Sequence, residues 1–257
     1  MAYYTTFNGN TSAGLGSLLQ LQQHLYAYAK MKGETVFFPG FEKLSHFQYT
    51  DTTQAAFCDQ LNNYFNIPSV SDTDNLEFIE ERYLLKEWGE EFNIQKKEYI
   101  QELFHCIHYE RENYFDLSKK TVAMHIRSVN PQDNCSHPDR EYYSTFKREY
   151  FLNLYQNIKT LEQERLDVHV FSQGKVEDFK CFEDLCGATL HINDDLITTI
   201  NHLITADILI TSNSSLSWGA HLYGQNKEVY SRDNFFHSWY PDTNFVNSQG
   251  FLTGTVK

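Results

Sequence analysis

The sequence predicts an α/β protein, with two Rossmann-like units built on parallel sheets. Two stretches carry that reading. Between 121 and 231, short β-branched apolar runs alternate with helical stretches, the pattern that builds a parallel, doubly wound sheet. Near the amino terminus, Tyr3-Tyr-Thr-Thr-Phe7 leads through a small-residue loop, Gly9-Asn-Thr-Ser-Ala-Gly-Leu-Gly16, into a helical pattern from Ser17 to about Met31. Glu34-Thr-Val-Phe-Phe38 then reads as a strand, which completes a second β–loop–α–β unit. A chain of 257 residues has room for two such domains. We place them at 1–117 and 118–257, with the break near Phe115-Asp-Leu-Ser-Lys-Lys120.

The second half is the more regular. Thr121-Val-Ala-Met-His-Ile-Arg127 reads as a strand, followed by a turn-rich stretch with Pro131, Asn134 and Pro138 and a helix over about 140–164. Strands are expected at 167–172, 189–192, 207–211 and 228–231, separated by helices over 175–185 and 196–206. After the run Asp207-Ile-Leu-Ile-Thr-Ser212, a cluster of small hydroxyl residues opens a further helix. The tail after Arg232 is aromatic and turn-rich, and is read as packing back over the cleft. In the first half, helices are expected at 54–64 and 90–109, and the rest of 40–117 shows no clear period.

Composition narrows the class. A formal charge of −13 argues against nonspecific binding to nucleic acid or to an anionic membrane. No run approaches the roughly 20 apolar residues of a membrane helix, and the first residues lack a secretory pattern, so a soluble, cytoplasmic protein is expected. The five cysteines (58, 106, 135, 181 and 186) include no C-x-x-C pair, which favours structural thiols over a disulfide framework or a zinc site.

Parallel sheets bind ligands beyond the carboxyl ends of their strands. The residues expected there are Arg127 and Ser128, Ser172 and Gln173, Asn193 with Asp194 and Asp195, and Ser212 to Ser215. The first N–H groups of a helix have no partner within it, and its dipole is positive at that end, so Thr211-Ser-Asn-Ser-Ser-Leu-Ser-Trp is a candidate anion site. An ordinary N-cap uses the same residue types. His125 and Arg127 lie two apart on a strand and share a face. The guanidinium fork suits phosphate oxygens, while an ion pair with Asp133 or Asp139 is the structural alternative. Gly14-Leu-Gly16 would let backbone approach a ligand, or would simply form a tight turn into the helix.

Taken in order, these segments resemble the GDP-fucose-dependent fucosyltransferases, and most of all the α-1,2-fucosyltransferases. The resemblance rests on Gly14-Leu-Gly-Ser17, His125-Ile-Arg-Ser-Val-Asn130, Tyr142-Tyr143, Val170-Phe-Ser172 and Asn213-Ser-Ser-Leu-Ser-Trp-Gly219. It covers about 12–38 and 119–223. It implies a GT-B-type glycosyltransferase, with the two parallel sheets facing across a cleft, that inverts the anomeric centre without a metal or cofactor. Its partners would be a nucleoside diphosphate sugar donor and a glycan acceptor. Arg127 would neutralise the departing diphosphate, Ser214 and Ser215 with their backbone amides would hold the β-phosphate, and His125 would line the nucleotide pocket. Gly14, Gly16, Ser172, Asp194, Asp195, Thr199 and Asn213 complete the expected donor site.

Two departures from that family bear on mechanism. Val129-Asn130 stand where it has Gly-Asp, which leaves Asp133 as first choice for a base, with Asp139 or Glu141 behind it; a loop-capping role for Asp133 stays open. Thr199 stands where the family has an Asp, so UDP- or dTDP-rhamnose joins GDP-fucose as a candidate donor, with Asp194 or Asp195 as a possible substitute for the carboxylate. A noncatalytic binding module that has kept the site and lost the base is the alternative from another class.

Overall fold

The computed structural model describes residues 1–5, 14–44, 52–71, 73–80, 84, 90–127, 148–162, 165–232 and 243–255. It is mixed α/β, with parallel-dominated sheets of three and seven strands among the described residues. The chain divides into two compact units, Met1–Glu110 with Trp218–Gly224, and Arg111–Ser217 with Gln225–Lys257.

In the first unit, β1 (Ala2–Tyr4) lies between β2 (Thr35–Val36) and β3 (Leu76–Phe78), parallel to both. Helix α1 (Leu15–Lys32) links β1 to β2 and stops at Gly33. That residue has φ 68°, where a Cβ would be strained, and its N–H bonds back to Ala29 and Lys30 carbonyls. Helix α2 (Gln54–Phe65) starts on Thr53, whose hydroxyl accepts from the Ala56 N–H at 3.3 Å. Helix α3 (Glu90–Glu102) tightens into a 3₁₀ turn over Leu103–Cys106, so the helix expected to reach 109 ends earlier. β3 was not foreseen.

The second unit holds the larger sheet. Its elements are β4 (Lys120–Ile126), α4 (Arg148–Leu161), β5 (Leu166–Ser172), α5 (Lys180–Cys186), β6 (Thr189–Ile192) and α6 (Leu196–Thr205). They are followed by β7 (Ile208–Ile210), α7 (Ser215–Tyr223, shared with the first unit), β8 (Glu228–Arg232), β9 (Thr243–Val246) and β10 (Leu252–Thr255). The order across the sheet is β10-β9-β8-β7-β4-β5-β6, and every neighbouring pair from β6 to β9 is parallel. Counted from β4, this is the doubly wound order 3-2-1-4-5-6, with β10 added antiparallel at the edge. β9 and β10 were not expected. The described part of the tail extends the sheet, and 233–242 lie outside the described residues.

Alternation along the strands separates two faces. Val122, Met124, Ile126, Val168, Val170, Ile208 and Ile210 bury one face against Tyr150, Phe151, Leu154 and Ile158 of α4 and Phe182 of α5. The intervening positions include His125, His169, Phe171 and His191, and this second face carries a layer of histidines and aromatics. Cys58, Cys106, Cys181 and Cys186 are free thiols, and no described helix is long and apolar enough to cross a membrane.

The amino end of the sheet is held by polar contacts. Lys120 donates to Glu162 at 2.7 Å and to Glu228 at 2.6 Å, and the Tyr230 hydroxyl donates to Glu228 at 2.7 Å. Asp207 accepts from the Thr121 N–H and hydroxyl, both at 3.0 Å. Only 15% of the Lys120 side chain is exposed, so removing its charge strands two carboxylates in a poorly hydrated place. Lys120→Met should therefore lower the unfolding free energy by about 3 kcal/mol in denaturant titrations. Glu162→Gln, which retains an acceptor, should cost clearly less.

Candidate functional site

The strand order reverses at β4: β5 and β6 follow on one side, and β7, β8 and β9 on the other. Such a switch point, here between the carboxyl ends of β4 and β7, is where doubly wound sheets receive ligands. Arg127, partly exposed, follows β4 directly, and residues 211–215 follow β7.

A side-chain contact joins these two ends. His125 Nδ1 and Ser212 Oγ are 3.2 Å apart, both residues being buried. Burial, and then the Arg127 charge, push the His125 pKa down to about 3, so the imidazole is neutral at ordinary pH. Much of the serine cluster shapes its own turn. The Ser214 N–H donates to the Ser212 carbonyl at 2.7 Å, and the Leu216 N–H donates to the Ser214 hydroxyl at 3.3 Å. The Ser217 hydroxyl donates to the Ser214 and Ser212 carbonyls at 3.1 and 3.3 Å.

Asn213 differs from its neighbours. It is only 2% exposed, yet among the described residues neither Oδ1 nor Nδ2 has a hydrogen-bond partner. Burying an unpaired amide costs on the order of 1–3 kcal/mol, and native structures rarely leave one without water or a ligand to satisfy it. Ser215 opens α7 beside it, half-buried.

Of the remaining expected donor residues, Ser172, Asp194, Asp195 and Thr199 lie around the ends of β5 and β6, and most are engaged within the protein. Ser172 donates its hydroxyl to the Ile126 carbonyl at 2.7 Å and so pins β4 to β5. Asn193, at φ 63°, exchanges two side-chain bonds with the Gly174 backbone, at 2.9 and 2.8 Å. Asp194 bonds His191 Nδ1 at 3.0 Å. Asp195 caps α6 by accepting from the Thr198 N–H at 2.9 Å, and it also pairs with Arg111. Thr199 lies half-buried in the first turn of α6, its N–H bonded to the Asp195 carbonyl at 2.9 Å.

Gly14 and Gly16 belong to the first unit. Gly14 is the N-cap of α1 at φ −77°, a backbone any residue adopts, and Gly16 is buried in the first turn. Gly14 thus opens the turn into α1 without using the positive φ that glycine tolerates. Asp133, Asp139 and Glu141 lie outside the described residues.

The structure thus gathers His125, Arg127, Asn213, Ser214 and Ser215 at the ends of β4 and β7, and Ser172, Asp194, Asp195 and Thr199 around the ends of β5 and β6. Arg111 was not anticipated: a lone Arg in a polar stretch gives no periodic signal. Among the described residues no group of three or more His, Cys, Asp or Glu side chains is arranged to hold a metal ion. No protein-family model matches the sequence, and neither does any curated protein.

The buried histidines make stability depend on pH. Burial holds His24, His125, His202 and His221 below their ordinary pKa, so the unfolded chain binds more protons than the native one. The stability these four contribute is complete above about pH 6.5 and falls as pH drops toward the folded pKa values, with His125 alone contributing roughly 1.4 kcal/mol per pH unit down to about 3. Thermal melting between pH 8 and 4 should show the decline beginning in the histidine range. A curve flat down to pH 5 would contradict it.

Proposed function

We propose that the protein is an inverting glycosyltransferase of the GT-B type that moves a deoxyhexose from a nucleoside diphosphate sugar to a glycan hydroxyl. GDP-fucose is the first donor to test, and UDP- or dTDP-rhamnose follow. The observation that carries the reading is the unsatisfied Asn213 amide, set in a serine-lined helix start at the switch point and next in the sheet to the strand that ends in Arg127. A small polar ligand there would complete the missing hydrogen bonds. The helix dipole and the guanidinium favour an anion over a neutral group. The resemblance of the motifs to fucosyltransferases adds the sugar and the reaction type.

In such a transfer, negative charge grows on the departing diphosphate while the sugar becomes cation-like. Arg127 and the Ser215 N–H at the start of α7 would be aimed at the departing phosphate before the reaction begins. Their effect then falls on the transition state more than on the bound donor. His125, neutral and bonded to Ser212, holds the two strand ends together beneath that phosphate. The base belongs to the acidic stretch around Asp133.

One observation favours a second reading, a noncatalytic nucleotide-sugar or glycan-binding module: Val129-Asn130 replace the Gly-Asp of the resembled family. Incubation with each donor separates the two. Release of nucleoside diphosphate supports the transferase, and tight binding without release supports the module.

Melting-temperature shifts with GDP, UDP and dTDP should identify the base, because a ligand that binds only the native state stabilises it. No shift with any of them would overturn the transferase reading and the nucleotide-sugar form of the second. Arg127→Ala should lower transfer by roughly 100- to 1000-fold while leaving the melting temperature of the ligand-free protein within a few degrees. Asn213→Ala should leave the ligand-free protein as stable as the parent, or more so, because it removes an unsatisfied buried amide, and should weaken nucleoside diphosphate binding about tenfold. Loss of stability with unchanged affinity would assign Asn213 to the fold instead.

A further inference from the structure

The polar face of the second unit contains a continuous string of four titratable groups. Asp167 Oδ2 lies 2.8 Å from His169 Nε2, His169 Nδ1 lies 2.8 Å from His191 Nε2, and His191 Nδ1 lies 3.0 Å from Asp194 Oδ2. The two imidazoles are coplanar to within 7° with centroids 5.1 Å apart, so they meet edge to edge along the line of their shared bond. Both are buried, at 3% and 8% exposure.

The string has three hydrogen bonds, and each needs one proton between its two heavy atoms. A carboxylate supplies none, and a neutral imidazole supplies one. Two neutral imidazoles and two carboxylates therefore provide two protons for three gaps. Any arrangement of only two leaves one gap with lone pairs facing each other at 2.8 or 3.0 Å in a buried place, which electrostatics strongly disfavours.

His202, in the same layer, gives a contrast. Its Nδ1 donates to the Thr198 carbonyl at 2.7 Å and its Nε2 accepts from the Tyr114 N–H at 2.9 Å. Both nitrogens have assigned roles and one proton suffices, so His202 is neutral, in keeping with the burial that lowers its pKa.

We infer that Asp167, His169, His191 and Asp194 act as one proton-binding unit that holds a third proton, giving the string a net charge of −1 instead of −2, and that loss of this proton breaks the link between β5 and the turn after β6. Burial, the largest effect, and the neighbouring His169 hold the His191 pKa below its ordinary value, and the hydrogen bond to Asp194 works against them. The aromatic rings around the pair favour the cation. Tyr114 stacks on His191 with centroids 4.6 Å apart and a 2° interplanar angle, and Phe171 stacks at 4.7 Å and 13°. Phe115 sets its ring edge-on to His169 at 5.0 Å. The neighbouring charged and titratable groups are mixed. The Asp116 N–H donates to Asp167 at 2.8 Å, Lys119 pairs with Asp116 and feels both Asp167 and Arg165, and Arg111 pairs with Asp195. Glu112, Asp194 and Asp195 raise the pKa of Tyr114 after the larger effect of burial.

The mechanical consequence follows from position. Without the third proton, the His169–His191 bond loses its donor and the strand pair is pushed apart at its polar face. His191 is tied to Asp194, which is adjacent to the cap of α6, so the turn over 193–195 feels that change. The device thus couples pH to the order of one carboxyl-end turn, and it stands whether or not a nucleotide binds there.

The test uses the full chain, labelled with ¹⁵N-histidine, and long-range ¹H–¹⁵N correlation spectra from pH 5 to 10. The expected result is that His169 and His191 share one imidazolium proton and titrate together with a single midpoint, while His202 stays a neutral Nδ1–H tautomer throughout. Asp194→Asn, which keeps an acceptor oxygen and removes the charge, should make the shared proton about tenfold weaker and move the midpoint down by roughly one unit. Two neutral rings over the whole range, or two unrelated midpoints, would overturn the inference. The wild-type spectrum decides this even if the variant does not fold.

Discussion

β4 is hydrogen-bonded along its whole length to β5, from Lys120 opposite Leu166 to Ile126 opposite Ser172, and over residues 122–124 it is bonded on its other edge to β7. A strand held on both edges and buried on both faces has nowhere to shift, because a slip of one residue would exchange its apolar face for its polar one. The features of the second unit follow from that restraint. The amino end is anchored by Lys120 and Thr121, and the carboxyl end delivers His125 and Arg127 to the place where the strand order reverses. Ser172 and Ser212 then fasten the ends of β5 and β7 to it from either side.

The two faces of this sheet serve different ends. The face under α4 is a continuous apolar layer and supplies most of the burial. The opposite face places imidazoles at alternate strand positions and satisfies them through bonds to one another, to carboxylates and to backbone. A purely apolar layer would be easier to fold. Hydrogen-bonded imidazoles instead specify a single register for β5 and β6, because any other alignment would leave buried nitrogens unpaired.

Much of the second unit was legible in the sequence. Runs such as Ile208-Leu-Ile210, ending in small hydroxyl residues, mark both a buried strand and the helix that follows, and their alternation with helices indicates the parallel sheet. β3 and β9 were not legible: Leu76-Glu-Phe78 and Thr243-Asn-Phe-Val246 are too short for a two-residue period to stand out from loop composition. The site was only partly readable. Arg127 and Asn213 stand where the strand assignment places them, but the Ser172 hydroxyl bonds a carbonyl and Asp195 pairs with an Arg, partners that no local pattern identifies. The His169–His191 bond was hidden for the same reason, since it joins residues 22 apart whose meeting depends on strand register.

The proposed function rests most on an anion site at the ends of β4 and β7. Backbone amide shifts followed by NMR during titration with inorganic pyrophosphate test this directly, since the probe carries neither base nor sugar. The predicted result is saturable shifts centred on residues 127 and 212–216, with the Asn213 side-chain amide moving alongside them. Shifts spread over scattered surface lysines, or none in that turn at saturating probe, would contradict it.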